Sequence, residues 1–200
     1  MWRISRRQLF WGKALLHLAA ALPLLWLLLA VNSDAAGGDP VQYIIHFLGK
    51  GALNLLLLTL LVSPLARWSK QGMLMQLRRP LGLWTFSYAC LHLAAYFSLD
   101  LLFAWQLLVQ EIVKRPYIVV GASAWLILLS LALTSFKAAQ RRMGRHWQQL
   151  HYAVYPAVML VTVHYYWSVK SEIIEPSIYI VLALLLLSLR IKPLIARWRR

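Results

Sequence analysis

Acidic residues are scarce in this 200-residue chain, which has six Asp and Glu against 21 Lys and Arg. None of the six lies inside an apolar run, which argues against a proton pump or cation transporter, since those proteins place carboxylates within the membrane. The single cysteine, Cys90, lies in an apolar run and excludes both a disulfide framework and a CxxC redox pair. The chain also lacks an HExxH zinc motif, a clustered histidine box and a glycine-rich phosphate loop. No internal repeat is visible.

Apolar residues dominate what is present. They make up 61% of the chain, and the mean hydropathy is +0.62, whereas a soluble domain is about 45–50% apolar. The composition therefore predicts an integral membrane protein with almost all of its residues in or near the bilayer. The net charge of +15 does not indicate nucleic acid, because the basic residues adjoin apolar runs, as the positive-inside rule requires.

The hydropathy pattern predicts an all-α integral membrane protein, with residues 1–200 forming a single transmembrane domain. The domain is expected to be a six-transmembrane helix bundle, and the first apolar run is interpreted as a span rather than a signal peptide. The predicted spans cover residues 14–31, 44–65, 81–99, 117–136, 148–168 and 177–189. Residues 100–116 have an amphipathic pattern, which predicts an interfacial helix or a re-entrant segment.

The charges predict the orientation of this bundle. Four basic residues lie in the N-terminal segment, four in residues 67–79, four in residues 137–145 and five from residue 190 onward, 17 of the 21 in all. The six acidic residues fall at the opposite ends of the spans. Both termini are therefore expected on the cytoplasmic side.

Three of the six histidines lie at depths that suit a metal cofactor. His92 is near the middle of the third predicted span, His151 is shallow on the cytoplasmic side of the fifth, and His164 is deeper in the fifth. A deep histidine without a carboxylate partner is well explained by haem, because iron takes the lone pair and a backbone carbonyl can accept the N–H. At ~1.5 Å per residue, His92 and His164 differ in depth by roughly 7 Å. They are the predicted bis-histidine pair, and His151 would serve a second, cytoplasmic-side site.

A simple stack of two haems meets one geometric objection. On an ideal helix, thirteen residues at ~100° each leave roughly 220° after whole turns, so His151 and His164 would not share a face. Pro156 lies between them and is a candidate for a kink or local rewinding. His46 and His146 are interpreted as solvated or headgroup-level imidazoles.

Seven short motifs are shared with a known family: DPV (39–41), PLAR (64–67), LGLW (81–84), LHL (91–93), RPY (115–117), HWQQLH (146–151) and HYYWSVK (164–170). They closely resemble the MsrQ/YedZ family, the haem-containing membrane subunit of a bacterial periplasmic methionine-sulfoxide reductase system. The resemblance covers nearly the whole chain. More distantly, the chain resembles the transmembrane domain shared by ferric reductases and NADPH oxidases.

The resemblance implies a multi-pass electron-transfer subunit of the bacterial inner membrane. Electrons would come from the quinone pool or a cytosolic flavin reductase and pass through one or two haem b groups. The acceptor would be a periplasmic molybdopterin-containing subunit that reduces methionine sulfoxide in oxidised proteins, so substrate chemistry would occur on the partner. FMN is also associated with the family. His92, His151 and His164 match its haem-associated histidines.

The chain departs from the wider oxidase pattern, in which each of two helices has two spaced histidines. Here Arg78 and Arg79 occupy the positions fourteen and thirteen residues before His92, so three of the four ligands are present. His17, on the same side of the membrane as His151, is our hypothesis for a replacement ligand or a quinone contact.

Docking predictions follow from the charges. The basic clusters at 67–79 and 137–145 could bind an acidic cytosolic reductase or a flavin phosphate, or could serve topology alone. Glu111, Glu172 and Glu175 would face the periplasmic partner.

Two other classes of protein stay open at this point: a His-lined metal or small-solute transporter, and an anchor that only recruits its partner.

Overall fold

The chain forms helices throughout most of its length in a computed structural model, which describes residues 4–33, 35–169 and 172–198. Within these ranges there is no strand. The α-helices are α1 (Arg6–Asn32), α2 (Pro40–Trp68), α3 (Arg78–Ala95), α4 (Trp105–Lys114), α5 (Tyr117–Leu133), α6 (Lys137–Met143), α7 (Arg145–His151), α8 (Val154–Ser168) and α9 (Ile174–Trp198). A 3-10 helix (Gly72–Leu77) precedes α3, and a π-helical segment (Tyr96–Asp100) follows it. Five residues used in the charge and motif predictions lie outside the described residues: Arg3, Asp34, Lys170, Arg199 and Arg200.

Polar residues explain where the first two long helices begin. Ser5 and Gln8 form a reciprocal capping box at the start of α1: the Ser5 hydroxyl accepts from the Gln8 amide at 3.2 Å, and the Ser5 amide donates to Gln8 Oε1 at 2.8 Å. Asp39 caps α2 by accepting from the Gln42 amide at 3.0 Å, and Pro40 is the first helical residue. The DPV motif is therefore a helix start, because its Asp satisfies an open N–H and its Pro fixes a helical φ.

The described residues contain at least two candidate membrane spans. By length and hydropathy, α1 and α2 each qualify alone. The number rises to four if each of two bent pairs is counted as one span: Gly72–Asp100 with α4, and α5 with α6. A multi-pass helical membrane protein is thus confirmed, while six spans and cytoplasmic termini stay predictions.

By contacts, the chain divides into two compact units, Met1–Trp105 and Gln106–Arg200. In the first unit α2 packs along α3, and α1 packs on both. Its core includes the buried residues Leu27, Leu48, Ala52, Tyr88 and Ala95. In the second unit α8 packs between α5 and α9, around the buried residues Ala124, Leu128, Ala157, Val158 and Ala183.

The amphipathic prediction for residues 100–116 corresponds to α4 and the turn before it. Leu102 and Phe103 have φ values of 48° and 58°, a left-handed conformation that disfavours bulky side chains. These two residues form the tight turn that ends the preceding helix. No residue of α4 is buried, and whether the helix is interfacial or re-entrant stays a prediction.

The fifth predicted span, expected to be one segment over 148–168, is two helices. Helix α7 ends at His151, a turn follows at 152–153, and α8 begins at Val154. Pro156 lies in the first turn of α8, where its missing N–H costs no helical hydrogen bond. The break therefore falls just before Pro156, and His151 and His164 belong to different helices.

Candidate functional site

His92 is anchored on helix α2 by one of its ring nitrogens. Its Nδ1 lies 2.9 Å from the backbone carbonyl oxygen of Ile45, and the side chain is half-buried. A carbonyl only accepts, so Nδ1 must bear the proton, and in the neutral imidazole Nε2 holds the lone pair. Gly49 lies one turn further along α2, where a Cβ would come within 3.1 Å of Nδ1 and 3.2 Å of Cε1. The absent side chain at Gly49 thus lets the ring lie against the helix backbone.

His164 has the same environment in the second unit. Its Nδ1 lies 2.8 Å from the carbonyl oxygen of Tyr117 on α5. A Cβ at Gly121, again one turn further on, would lie 2.7 Å from both Nδ1 and Cε1 of the ring. Here too the proton is fixed on Nδ1 and the lone pair of the neutral ring is on Nε2.

The two histidines are parts of one repeated arrangement. In each unit 47 residues separate the histidine from the residue whose carbonyl it contacts, and a glycine follows that residue by four positions. The expectation of no internal repeat concerned the sequence, whereas the shared arrangement is one of contacts. Sequence reading missed the arrangement because only the glycine and the histidine can be recognised by residue type. The third member is a backbone carbonyl oxygen, which every residue has.

His151 is held differently, at the end of α7. Its Nε2 lies 3.1 Å from the Thr134 hydroxyl, which itself donates to the Ser130 carbonyl at 2.7 Å. Since a hydroxyl has one proton, the ring donates from Nε2. Trp147 stacks on the ring at 4.0 Å between centroids and donates its indole N–H to the Thr134 carbonyl at 2.8 Å. In this arrangement the lone pair of His151 is on Nδ1, the reverse of His92 and His164.

His17 accepts a hydrogen bond from the indole of Trp84. The distance from Trp84 Nε1 to His17 Nδ1 is 2.8 Å, and the His17 side chain is exposed. His146 is also exposed and contacts the Gln149 carboxamide oxygen through Nδ1 at 3.0 Å. Trp84, the last residue of the LGLW motif, therefore has a specific polar partner.

The four predicted site histidines are divided between the units. His17 and His92 lie in the first unit, and His151 and His164 lie in the second. The pairing of His92 with His164 stays a prediction, as does a second site at His151. Within the part of the chain that the structure describes, no three His, Cys, Asp or Glu side chains form a cluster that could hold a metal ion.

Gly49 and Gly121 are the site residues that sequence reading did not assign. A glycine inside an apolar helix destabilises it by ~1 kcal/mol relative to alanine, which is itself a signal of close approach. That signal marks Gly49 and Gly121 as points of close approach, but it does not identify the histidine rings that lie against them.

These features define a helical membrane protein with histidines anchored by backbone carbonyls. The chain belongs to the family described as ferric reductase like transmembrane component, whose model matches residues 48–162, more than half of the chain. The matched region includes His92 and His151 and ends two residues before His164. No solved structure matches the chain. Family membership supports a role in membrane electron transfer, while the narrower MsrQ/YedZ resemblance stays a prediction.

Proposed function

We propose that the chain is a haem b electron-transfer subunit of a bacterial inner membrane. It receives electrons from the quinone pool or from a cytosolic flavin reductase. It passes them to a periplasmic molybdopterin-containing methionine-sulfoxide reductase, where oxidised proteins are repaired. Membership of the ferric reductase-like family supports the electron-transfer part, and the shared motifs, from DPV to HYYWSVK, support the particular partner.

One observation supports haem most strongly: the repeated contact between a histidine Nδ1 and a backbone carbonyl one turn before a glycine. Histidines that bind metals usually donate their second N–H to a carbonyl or carboxylate, which fixes the tautomer and the ring orientation. His92 and His164 meet this requirement at 2.9 and 2.8 Å. The residues present therefore fit an iron-bound group, with Nε2 of each ring as the ligand atom.

Bound haem would supply the one-electron chemistry that the side chains of this protein lack. The protein would hold the haem through His92 and His164 and would supply their orientation and a low dielectric. The carbonyls of Ile45 and Tyr117 accept hydrogen bonds from the two rings, which makes each imidazole a stronger electron donor. A stronger donor favours the oxidised state of the metal, so these two carbonyls would lower the reduction potential.

Haem quantification and reduced-minus-oxidised absorption of the purified protein test this proposal. The variants are His92→Ala, His151→Ala and His164→Ala, with His146→Ala as a matched control because His146 is an exposed histidine outside the anchored pair. We expect His92→Ala and His164→Ala to lose the b-type signal and His146→Ala to keep it. The His151→Ala result decides between one haem and two.

A wild-type protein that stays colourless after reconstitution with haem would overturn the proposal. It would bring forward the transporter alternative, with histidines lining a metal or solute pathway. Loss of haem in the His146→Ala control would show that the assay reports misfolding instead of ligation.

The partners form the second part of the proposal. Glu111, Glu172 and Glu175 are the candidate contacts of the periplasmic subunit. Within the chain, Glu111 forms an ion pair with Arg115 at 2.9 Å, and Glu175 is hydrogen-bonded to the Tyr165 side chain. FMN is proposed on the resemblance alone. Reconstitution of the haem-loaded chain with the periplasmic subunit should allow quinol or reduced flavin to reduce a protein containing methionine sulfoxide. Omission of either subunit should stop the reaction.

A further inference from the structure

Trp84 determines which nitrogen of His17 bears the proton. The indole N–H is a donor and cannot accept, so His17 Nδ1, at 2.8 Å, must present its lone pair. In the neutral imidazole the proton then lies on Nε2. His17 therefore has the opposite tautomer to His92 and His164, whose protons lie on Nδ1. Iron binds the lone pair of a neutral imidazole, and in His17 that lone pair already accepts from Trp84 while Nε2 bears the proton. This hydrogen bond therefore argues against His17 as a replacement haem ligand.

The Nε2–H of His17 is a hydrogen-bond donor on the apolar surface of α1. Leu15, Leu18 and Leu22 of the same helix have 64%, 61% and 59% of their surface exposed, and the His17 side chain is exposed as well. Water is scarce at such a surface within a bilayer, so a polar N–H there is costly unless an acceptor meets it. A molecule dissolved in the lipid can reach this donor from the side.

The depth of His17 also suits the head group of a lipid-soluble molecule. Lys13, one turn earlier on α1, donates to Gln76 Oε1 at 3.1 Å, and both side chains are polar groups expected near the headgroups. At ~1.5 Å per residue, His17 lies ~6 Å further along the helix. The Tyr88 hydroxyl donates to the Ala20 carbonyl at 2.7 Å and fixes α1 against α3 next to His17. The donor is thus held in place just inside the apolar region.

We propose that His17, oriented by Trp84, binds the ring carbonyl of a membrane quinone through its Nε2–H. A quinone carbonyl oxygen accepts hydrogen bonds, and the isoprenoid tail stays in the lipid, in keeping with lateral access. This inference rests on the proposed function, which requires an electron donor from the membrane or the cytosol, and it favours the membrane. The contact binds and orients the quinone, and no proton transfer is assigned to His17.

The test uses the full-length, haem-loaded protein and four variants. His17→Leu keeps the volume apolar and removes the donor. His17→Gln keeps an oxygen that can accept from Trp84 and an amide that can donate. Trp84→Phe removes the indole N–H and keeps an aromatic ring. Trp26→Phe is its control, since Trp26 is an exposed tryptophan on α1, the helix of His17.

Two quantities are measured: calorimetric binding of decylubiquinone and the KM for haem reduction by decylubiquinol. We expect His17→Leu to lower the affinity for decylubiquinone and to raise the KM for decylubiquinol, each by about tenfold, as loss of one hydrogen bond in a low dielectric predicts. Trp84→Phe should change the affinity and the KM in the same directions by a smaller factor, because the His17 ring can then adopt either tautomer. His17→Gln should stay within about threefold of wild type, and Trp26→Phe should equal it. Haem content and reduction by dithionite should be unchanged in all four.

Unchanged quinone affinity and KM in His17→Leu would overturn the inference. So would loss of haem in that variant, which would make His17 an iron ligand. A third contrary result would be a His17→Leu variant that binds quinone normally but is no longer stabilised against heat by added phospholipid. That result would assign the Nε2–H of His17 to a lipid ester carbonyl. The proposed function fails in a different way, through a wild type that binds no haem, and quinone binding can be measured in that protein as well.

Discussion

The ring of His164 lies against the backbone of Gly121 so closely that a Cβ at that position would be 2.7 Å from Nδ1 and Cε1. His92 lies against Gly49 in the same way but less tightly, at 3.1 and 3.2 Å. Contacts under 3 Å force a neighbour to move, whereas those just above 3 Å can be relieved by a few tenths of an ångström. The two otherwise similar histidines should therefore differ in their response to the same substitution.

Gly121→Ala should displace His164 and break its hydrogen bond to the Tyr117 carbonyl. We expect a reduced haem content or a shifted reduction potential, because the ring loses its orientation and its N–H acceptor. Gly49→Ala should have a smaller effect in the same direction. Haem content and potentiometric titration of both variants measure this.

Gly82→Ala provides the control, since a Cβ at Gly82 meets nothing within 4 Å and alanine favours a helix. It should leave the haem spectrum unchanged. If Gly49→Ala proves more damaging than Gly121→Ala, the contacts to the histidine rings do not explain the effect.

Gly51 and Tyr88 should behave as one packing unit in the first half of the chain. A Cβ at Gly51 would lie 2.6 Å from two atoms of the Tyr88 ring, and Tyr88 is 1% exposed. Gly51→Ala therefore overpacks the interface between α2 and α3 and should lower the free energy of unfolding by ~1–3 kcal/mol. Tyr88→Phe removes only the hydrogen bond to Ala20 and should cost ~1 kcal/mol.

Unfolding in mixed micelles on titration with sodium dodecyl sulfate measures both changes. Because the Tyr88 ring is the obstacle, Gly51→Ala should cost much less when combined with Tyr88→Leu. Additive effects in the double variant would contradict the packing account.

Gly144 should be required for the turn between α6 and α7. Its φ of 54° and ψ of −125° lie in a region that is strained for any residue with a Cβ. Gly144→Ala should cost ~1–3 kcal/mol of unfolding free energy, although nothing lies within 4 Å of the added atom. Gly12→Ala, equally uncrowded but inside α1, should stabilise the protein by ~0.5–1 kcal/mol. Equal effects of the two substitutions would show that backbone conformation is not the cause.

Much of the helical pattern could be predicted from the sequence, and the differences have local causes. The second span, predicted from residue 44, begins as a helix at Pro40 because Asp39 and Pro40 supply a cap that hydropathy does not register. The fifth span was predicted as one segment but breaks at 152–153. Hydropathy averages over such a break, and only the position of Pro156 signalled it.

The histidines of the candidate site could be found from composition and depth, but their surroundings could not. The partners of His92 and His164 are backbone carbonyls, and a carbonyl has no residue signature. The partner of His17 is Trp84, 67 residues away, and its choice depends on how α1 packs against α3. The tautomer of each histidine follows from these contacts. The structure is therefore needed to distinguish a histidine that can bind a metal from one that donates a hydrogen bond.

Arg190 and Tyr155 should prove energetically coupled in the second unit. Arg190 is 5% exposed, its guanidinium carbon lies 5.8 Å from the centre of the Tyr155 ring, and its Nη1 lies 3.4 Å from the hydroxyl. A hydrogen bond of that length is weak, whereas a desolvated cation over an aromatic face contributes ~1–2 kcal/mol. Tyr155→Phe should therefore cost less than ~0.5 kcal/mol, and Tyr155→Leu should cost ~1–2 kcal/mol.

The coupling is isolated by repeating Tyr155→Leu in an Arg190→Met background, because Arg190→Met alone also removes the other contacts of Arg190. An apolar residue in place of a buried cation is often tolerated, so the background should stay folded. In it the cost of Tyr155→Leu should fall to that of lost apolar packing, since no cation is left for the ring to stabilise. Unfolding free energies of the four proteins measure this, and an unchanged cost of Tyr155→Leu in the Arg190→Met background would show that the ring acts on the core and not on the guanidinium.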